Sequence, residues 1–358
     1  MSRILLLKKR NINFKAHFIW IKNTNNFNLF IILMMHVIIV LGDIMFVKIL
    51  DSCKYVVANA EHVRISIAKI DELAKDLYSI KDIHWLQSSP YGILDLSIEE
   101  IVNFLLLYHS IGFSYWGNPK WTVETKDGEL DGAFAMLYVL INEIKNNTEF
   151  LKPSYLQNLT RIELKRILKG NVEIPLFDER YSNIINMAKT INTNMNGDFY
   201  DYIKNINNDE ELFKVLIDNF EYFNDVSIYK NKKVYFYKLA QLLTSDILHI
   251  RVIKEKANVN YTHLLGCADY KIPQVMRNLG ILEYSSELER IVNNKEVILK
   301  NSNYEIEIRA SVMVVIDIIN RRTLYKFCPI MINDYIWLMG QDSSNKLLPY
   351  HLTRTNFY

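Results

Sequence analysis

The sequence predicts a mainly α-helical fold with a small antiparallel β element. Apolar residues recur at the three- and four-residue spacing of helices through most of the chain. The exception is the segment 121–130, where strand-forming residues flank Lys126-Asp127-Gly128, a pattern typical of a β-hairpin. We find no internal repeat and no glycine- or proline-rich linker after residue 45. These features predict a single domain over residues 45–358 and leave residues 1–44 as an extension outside it.

The predicted helices follow from apolar periodicity and from their start signals. Ser97 with Glu100, and Thr160 with Glu163, have the spacing of capping boxes. A helix containing Pro273 near its start is expected to end at Leu279-Gly280. The other predicted helices are Val47–Asp76, Gly132–Ile144, Pro175–Ile191, one capped by Asn208, Tyr235–Ile250 and Glu305–Ile319.

Charge and cysteine usage exclude several classes of protein. The 42 basic and 40 acidic residues give a net charge of +2, so no broad basic field for long nucleic acids is expected. Three cysteines (Cys53, Cys267 and Cys328) without a CxxC pair argue against a disulfide framework or a zinc site. They favour a reducing cytoplasmic compartment. The glycine-rich motifs of nucleotide-binding loops are absent from the sequence.

The N-terminal segment contains an apolar run from Phe27 to Leu41, interrupted by His36. This run is shorter than the roughly 20 residues that cross a bilayer comfortably. Because it follows a basic start, a signal anchor is one interpretation. We favour an extension with no stable membrane association.

Asp269 lies in a setting that suggests chemistry. It sits between small apolar residues, immediately before the helix that contains Pro273. Its carboxylate either caps that helix by accepting backbone N–H groups, or acts on a cationic transition state. Local spacing alone favours the cap.

Other charged residues fall within apolar helical stripes. Asp246 lies on the apolar face of the Tyr235–Ile250 helix, where a carboxylate is costly unless it is paired. Lys238 precedes it on the same helix and is either solvated or functional. Arg309 forms an i,i+4 pair with Glu305 and leads into a nearly all-apolar helix, a position that suits an arginine that binds phosphate.

Several aromatic segments are candidates for a stacking wall or for core. The first is Phe113-Ser114-Tyr115-Trp116, close to Trp121. The second is Asp334-Tyr335-Ile336-Trp337. The third is the last segment, from Pro349 through His351 to Tyr358, which we expect to dock against the domain.

Together these segments resemble the queuosine salvage family, the queuosine 5′-phosphate N-glycosylase/hydrolases. The order and spacing of the segments agree from about residue 45 to the end. The resemblance rests on the segments Phe113-Ser114-Tyr115-Trp116, Asp131-Gly132, Ile174-Pro175-Leu176, Phe236-Tyr237-Lys238-Leu239-Ala240-Gln241 with Asp246, Ala268-Asp269-Tyr270-Lys271-Ile272-Pro273-Gln274, Glu305-Ile306-Glu307-Ile308-Arg309-Ala310, Asp334-Tyr335-Ile336-Trp337 and Pro349-Tyr350-His351.

The resemblance implies a fold similar to the helix-hairpin-helix DNA glycosylases. It also implies hydrolysis of queuosine 5′-monophosphate to queuine and ribose 5-phosphate, in salvage for tRNA modification. No metal or redox cofactor is expected, and the substrate is a free nucleotide rather than nucleic acid.

The expected roles follow from the chemistry of the bond. Breaking an N-glycosidic bond builds positive charge on the ribose carbon, which Asp269 would stabilise or attack. Asp246 or Asp334 would assist the leaving base or bind its edge, and Lys238 and Arg309 would bind the 5′-phosphate. Candidates for stacking on the base or lining the pocket are Phe113, Trp116, Tyr270, His62, His351 and Tyr358.

Two rival interpretations stay open at the level of sequence. A glycosylase acting on polymeric DNA or RNA would need its basic residues gathered on one face. A non-enzymatic helical binding protein would leave Asp246, Asp269 and Arg309 apart from one another.

Overall fold

Helices make up most of the structure, as the sequence predicts. The computed structural model describes residues 45–77, 84–88, 91–341 and 346–358. Residues Phe46–Tyr358 form one structural unit. The predicted extension and its apolar run lie outside the described residues, and no described helix is both long and apolar enough to cross a membrane.

The helices of the described residues are numbered in chain order. They are α1 (45–58), α2 (Ile67–Leu77), α3 (Ile98–Ser110), α4 (Gly132–Asn146), α5 (Pro153–Leu156), α6 (Arg161–Ile167), α7 (Phe177–Asn194), α8 (Phe199–Ile203), α9 (Asp209–Asn219), α10 (Lys238–Glu255), α11 (Lys271–Asn278), α12 (Ser286–Asn293), α13 (Asn303–Arg322) and α14 (Pro329–Met339). Short 3₁₀ turns lie at Trp85–Ser88, Ile93–Asp95 and Glu221–Phe223.

The predicted helix starts are confirmed where the sequence carries a cap. Ser97 accepts the backbone N–H of Glu100, whose carboxylate in turn accepts the N–H of Ser97. Thr160 and Glu163 form the same reciprocal pair. Each pair satisfies backbone donors that the first turn of a helix leaves free, so these boundaries are set locally.

The β structure in the described residues consists of three antiparallel pairs of strands. The predicted hairpin is confirmed as β2 (Thr122–Thr125) and β3 (Gly128–Asp131). A second hairpin joins β4 (Val226–Tyr229) to β5 (Lys232–Tyr235) through two residues with positive φ. The third pair joins β1 (Val63–Ile65) to β6 (Leu282–Tyr284), which are far apart in sequence.

The stretch Val47–Asp76, where apolar residues recur at helical spacing, is not one continuous helix. Two helices, α1 and α2, are separated there by β1. The strand pairs Val63 with Tyr284 and Ile65 with Leu282, so its backbone partners come from a distant part of the chain. Three residues are too few to disturb the apolar periodicity on either side.

The core is built around α13 and α10. Fourteen of the 20 residues of α13 are buried, including charged ones, as expected of a helix that is surrounded on all sides. It packs against α2, α11, α14 and β1, while α10 packs against α3 and α9.

Helix α11 ends at Asn278 with Leu279 as its C-cap, and Gly280 with φ of +71° turns the chain into β6. The similarity to helix-hairpin-helix DNA glycosylases stays a prediction.

Candidate active site

The loop that carries Asp269 is fixed by the two helices behind it. Gly266 has φ of +120°, and a Cβ there would lie 2.7 Å from Cδ1 of Ile316 in α13, so only glycine fits. The N–H of Cys267 donates to Oδ1 of Asn333 in α14 at 2.8 Å. The carbonyl of Ala268 accepts from Nε of Arg309 at 3.1 Å. These contacts define the position of Asp269 before any substrate is bound.

Asp269 both caps helix α11 and lines a cavity. Its Oδ1 accepts the backbone N–H groups of Lys271 and Ile272, each at 2.9 Å, at the start of α11. The residue also lines a cavity bounded by α3, α4, α10, α11 and α14, which we call the Asp269 cavity. Among the described residues, Oδ2 of Asp269 has no hydrogen-bond partner. One oxygen therefore anchors the side chain while the other is available to a ligand.

Burial raises the pKa of Asp269 above the ordinary range of aspartate. The charge of Lys238 and the N–H groups of Ile272 and Lys271 oppose this shift because they favour the ionised form. The position of Asp269 at a helix N-terminus therefore offsets the cost of burying its charge only in part.

Lys238 lines the same cavity at the start of α10. It is buried, and its backbone N–H donates to Oδ2 of Asp225 at 3.3 Å. The residue before it, Tyr237, has φ of +50° and forms the N-cap of the helix. The structure thus brings together Lys238 and Asp269, as the sequence predicts for a shared site.

Aromatic side chains form much of the cavity wall. Of the predicted residues, Trp116, Tyr270 and Tyr358 line it. The Tyr270 ring packs against Tyr350 with 4.9 Å between centroids, and the Trp116 ring lies 3.5 Å from the guanidinium carbon of Arg354. Flat, rigid surfaces of this kind suit a planar heterocycle.

A second carboxyl group, Asp334 of α14, lines the cavity. Burial and the charge of Asp246 raise its pKa to about 8, against the opposing N–H groups of Trp85 and Asn333. At neutral pH Asp334 is therefore mainly protonated and can donate a hydrogen bond. Asp269 and Asp334 are two carboxyl groups of one cavity in different surroundings, an arrangement suited to dividing acid and base roles.

Asp246 lies behind the cavity wall rather than on it. It is fully buried, its Oδ1 accepts from Nε1 of Trp85 at 2.8 Å, and its Oδ2 lies 2.6 Å from Nε2 of His109. Trp85 and His109 both line the cavity. Asp246 reaches the site through these two side chains, so its predicted contact with substrate would be indirect.

Four other predicted residues do not line the Asp269 cavity. Phe113 is buried beneath Arg180, and His351 is buried with its Nε2 3.4 Å from Oη of Tyr358. His62 packs on Tyr304, beside the β1–β6 pair.

Arg309, the fourth, is fully buried and bonded to both carboxylate oxygens of Asp225 and to the carbonyl of Ala268. All three of its nitrogens are therefore engaged in holding the protein together. The expectation that Arg309 binds phosphate has no direct support in this arrangement.

Other cations do reach the cavity. Lys120 and Lys271 line it, and Nζ of Lys120 lies 2.7 Å from Oδ2 of Asp131 at the half-exposed edge. Lys271 lies over the ring of Tyr350. Within the described residues no cluster of His, Cys, Asp and Glu is arranged to hold a metal ion.

Comparison with known proteins places the chain in a family. The family model described as queuosine salvage protein matches residues 94–358 of the chain. The chain belongs to the queuosine salvage protein family. The match covers every predicted site residue except His62.

The relatives have the same name in distant organisms. A Sphaerobacter thermophilus protein named queuosine 5′-phosphate N-glycosylase/hydrolase is 30% identical over 283 residues, which cover 78% of this chain and 85% of the relative. Proteins of the same name from Nematostella vectensis and Bos taurus are 26% and 23% identical, covering 72% and 86% of this chain and 82% and 98% of the relatives.

Several cavity residues were not predicted from the sequence. Trp85, His109, Lys120 and Lys271 all line the cavity. His109 had a usable signal, because it is a polar residue in the apolar run 104–109 of α3. Trp85 had none, since it lies in a short turn with no periodic pattern.

Proposed function

We propose that this chain hydrolyses the N-glycosidic bond of queuosine 5′-phosphate and releases queuine and ribose 5-phosphate. The observation that carries the proposal is Asp269, a carboxylate held by two backbone N–H groups on the wall of an aromatic cavity. Membership of the queuosine salvage protein family supplies the substrate class.

Asp269 acts on the ribose carbon. As the bond to the base lengthens, positive charge grows on C1′ and on the ring oxygen, and a fixed carboxylate lowers the energy of that state. Oδ1 is anchored by Lys271 and Ile272, so Oδ2 faces the reaction, either as the nucleophile or as the stabiliser of the cation.

Asp334 acts on the leaving base. A deazapurine departs poorly as an anion, and a protonated carboxyl group can donate to it as the bond breaks. Water supplies the atoms of the products: its oxygen goes to C1′, one hydrogen remains on that new hydroxyl group, and the other replaces the ribose on the base nitrogen.

The base and the 5′-phosphate of the substrate are bound by different groups, aromatic rings for the base and cationic side chains for the phosphate. Trp116, Tyr270 and Tyr350 offer stacking surfaces for the deazapurine. The 5′-phosphate is expected to bind Lys238, with Lys120 and Lys271 as further candidates. All three are cationic side chains that line the cavity.

The test is to incubate the purified protein with queuosine 5′-phosphate and to measure free queuine by chromatography and mass spectrometry. The variant Asp269→Asn keeps the size of the side chain but cannot carry its charge. We expect it to bind the nucleotide and to lose base release by about 10²–10⁴-fold.

The matched control is Asp178→Asn, an exposed carboxylate of α7 that pairs with Arg161 away from the cavity. It should release queuine at the rate of the unmodified protein. Near-normal turnover by Asp269→Asn would end the assignment of Asp269, and no queuine from the unmodified protein would end the proposed function.

A further inference from the structure

Trp85 joins two buried carboxyl groups through its two N–H donors. Its indole Nε1–H donates to Oδ1 of Asp246 at 2.8 Å, and its backbone N–H donates to Oδ2 of Asp334 at 3.2 Å. The residue is buried and lines the Asp269 cavity, packing edge-on against Trp337. A change at Trp85 therefore reaches both acids at once.

The N–H contacts of the two acids differ in length. Asp246 accepts the indole N–H of Trp85 at 2.8 Å, and its Oδ2 lies 2.6 Å from Nε2 of His109. Nε2 of His84 lies 3.3 Å from Oδ1 of Asp246 but has no hydrogen-bond partner among the described residues. Asp334 receives the backbone of Trp85 and, at 3.3 Å, the amide of Asn333. Each acid thus has two N–H contacts, and those of Asp246 are the shorter. Shorter N–H contacts favour the ionised form at Asp246, so a single proton shared by the pair belongs on Asp334.

We propose that Trp85 is a positioning residue for this hydrolysis: its indole holds Asp246 as the anion and thereby keeps on Asp334 the proton that is offered to the leaving base. The inference rests on the proposed function of the cavity. It assigns no contact between Trp85 and the reacting atoms.

The charged and titratable neighbours are consistent with this division. Burial, followed by the neighbouring imidazoles of His249 and His109, lowers the pKa of His84. Burial, followed by the charge of Lys238, lowers the pKa of His109, so its imidazole is neutral and can donate one N–H to Asp246. Burial raises the pKa of Asp246 well above the ordinary range of aspartate, and the indole N–H of Trp85 and the charge of Lys238 oppose this shift. Around Asp334, burial comes first and the charge of Asp246 second in raising its pKa, and the thiols of Cys267 and Cys328 are the remaining titratable neighbours.

The test uses the pH dependence of queuine release. Trp85→Phe keeps a ring in the wall and the backbone N–H but removes the indole donor. Asp246 then takes up a proton more readily, the negative charge beside Asp334 decreases, and Asp334 loses its proton at lower pH. We expect the alkaline limb of kcat/KM, near pH 8 in the unmodified protein, to move to lower pH.

The matched control is Trp337→Phe. Trp337 lines the same cavity, and among the described residues its indole has no hydrogen bond to either carboxyl group. Its replacement should leave the pH of the alkaline limb in place, whatever happens to the rate. Thermal melts of both variants verify that they fold.

A second variant tests the same link without altering the wall. Asp246→Asn removes the negative charge, so it should also move the alkaline limb to lower pH, and adding Trp85→Phe to it should cause no further movement. An unchanged limb in Trp85→Phe or in Asp246→Asn, or an equal extra shift in the double variant, would overturn the inference. If the unmodified protein releases no queuine at any pH, the proposed function itself has failed.

Discussion

The two oxygens of Asp269 have different surroundings. Oδ1 accepts two backbone N–H groups of α11, whereas among the described residues Oδ2 has no partner. The cap and the chemical role, which looked like alternatives, are therefore compatible in one side chain. The cap also has a chemical effect, because each N–H group lowers the pKa that burial raises.

The pH dependence of the reaction should report on Asp269 and Lys238. In the proposed mechanism Asp269 acts as the ionised carboxylate, so the acid limb of kcat/KM should lie above the usual pKa range of aspartate. Lys238→Met removes the charge that most opposes the effect of burial, so the pKa of Asp269 rises and the acid limb moves to higher pH. The measurement is the pH profile of queuine release.

Lys271→Met is the matched control for this prediction. Lys271 also lines the cavity, but its charge has a weaker influence on Asp269 than that of Lys238. The acid limb of the Lys271→Met profile should therefore move less than that of the Lys238→Met profile. A profile for Lys238→Met that coincides with the unmodified one would contradict the assignment of the acid limb to Asp269.

Asp269, Lys238 and Asp334 were placed in one site by the family resemblance, since local spacing left their roles open. The structure places all three on the wall of one cavity, and their roles stay predictions. Trp85 and Asp246 depend on each other across 161 positions of the chain. No spacing within one helix can reveal such a contact, so the link between them could be found only after folding.

At the scale of elements, α13 shows how buried charges are accommodated. Arg309 is surrounded by the carboxylate of Asp225, the carbonyl of Ala268 and the rings of Phe236 and Tyr358. Asp225 also binds the backbone N–H of Lys238. One ion pair therefore ties α13 to the start of α10 and to the Asp269 loop.

Breaking this pair should destabilise the whole domain. Arg309→Met leaves the carboxylate of Asp225 buried without its partner, a change that costs about 3–5 kcal/mol in the free energy of unfolding. Denaturant unfolding of the variant, monitored by circular dichroism, measures it.

Arg321→Met is the matched control on the same helix. Arg321 is about half exposed and pairs with Asp317 at i,i+4, so its loss should cost less than about 1 kcal/mol. Equal stabilities of the two variants would show that the Arg309–Asp225 pair contributes no more than a surface pair does.

Whether a strand pair could be predicted depended on how far apart its two strands lie in the sequence. The β2–β3 hairpin was predicted because its strands and turn are contiguous. The β1–β6 pair was missed because Val63 and Tyr284 are distant in sequence and each strand has only three residues. Helical periodicity and helix caps can be read from neighbouring residues, whereas the pairing of distant strands is seen only in the tertiary structure.

At the scale of the molecule, the last segment completes the cavity wall. The N–H of Ser114 donates to the carbonyl of Tyr358, and Nε1 of Trp116 donates to the carbonyl of Thr353 at 3.1 Å. The hydroxyl of Tyr358 reaches Glu305 on α13 at 2.8 Å. The docking that the aromatic ending predicts is therefore confirmed, and it joins segments from three distant parts of the chain.

The balance of charge over the whole chain fits the proposed free nucleotide substrate. The net charge is +2, and many surface cations are paired with carboxylates, as in Lys152–Glu149 and Lys214–Asp218. A protein that binds a nucleic acid backbone releases counterions from several phosphates, which gives a steep dependence on salt.

We therefore expect no saturable binding of this protein to transfer RNA or to duplex DNA at about 0.15 M salt. Fluorescence anisotropy of labelled nucleic acid, titrated with protein at several salt concentrations, measures this directly. Queuosine 5′-phosphate added in parallel is the positive control, since its turnover shows that the same preparation is active. Tight binding of duplex that weakens steeply with salt would instead favour a glycosylase that acts on a polymer, because only contacts with many phosphates produce that dependence.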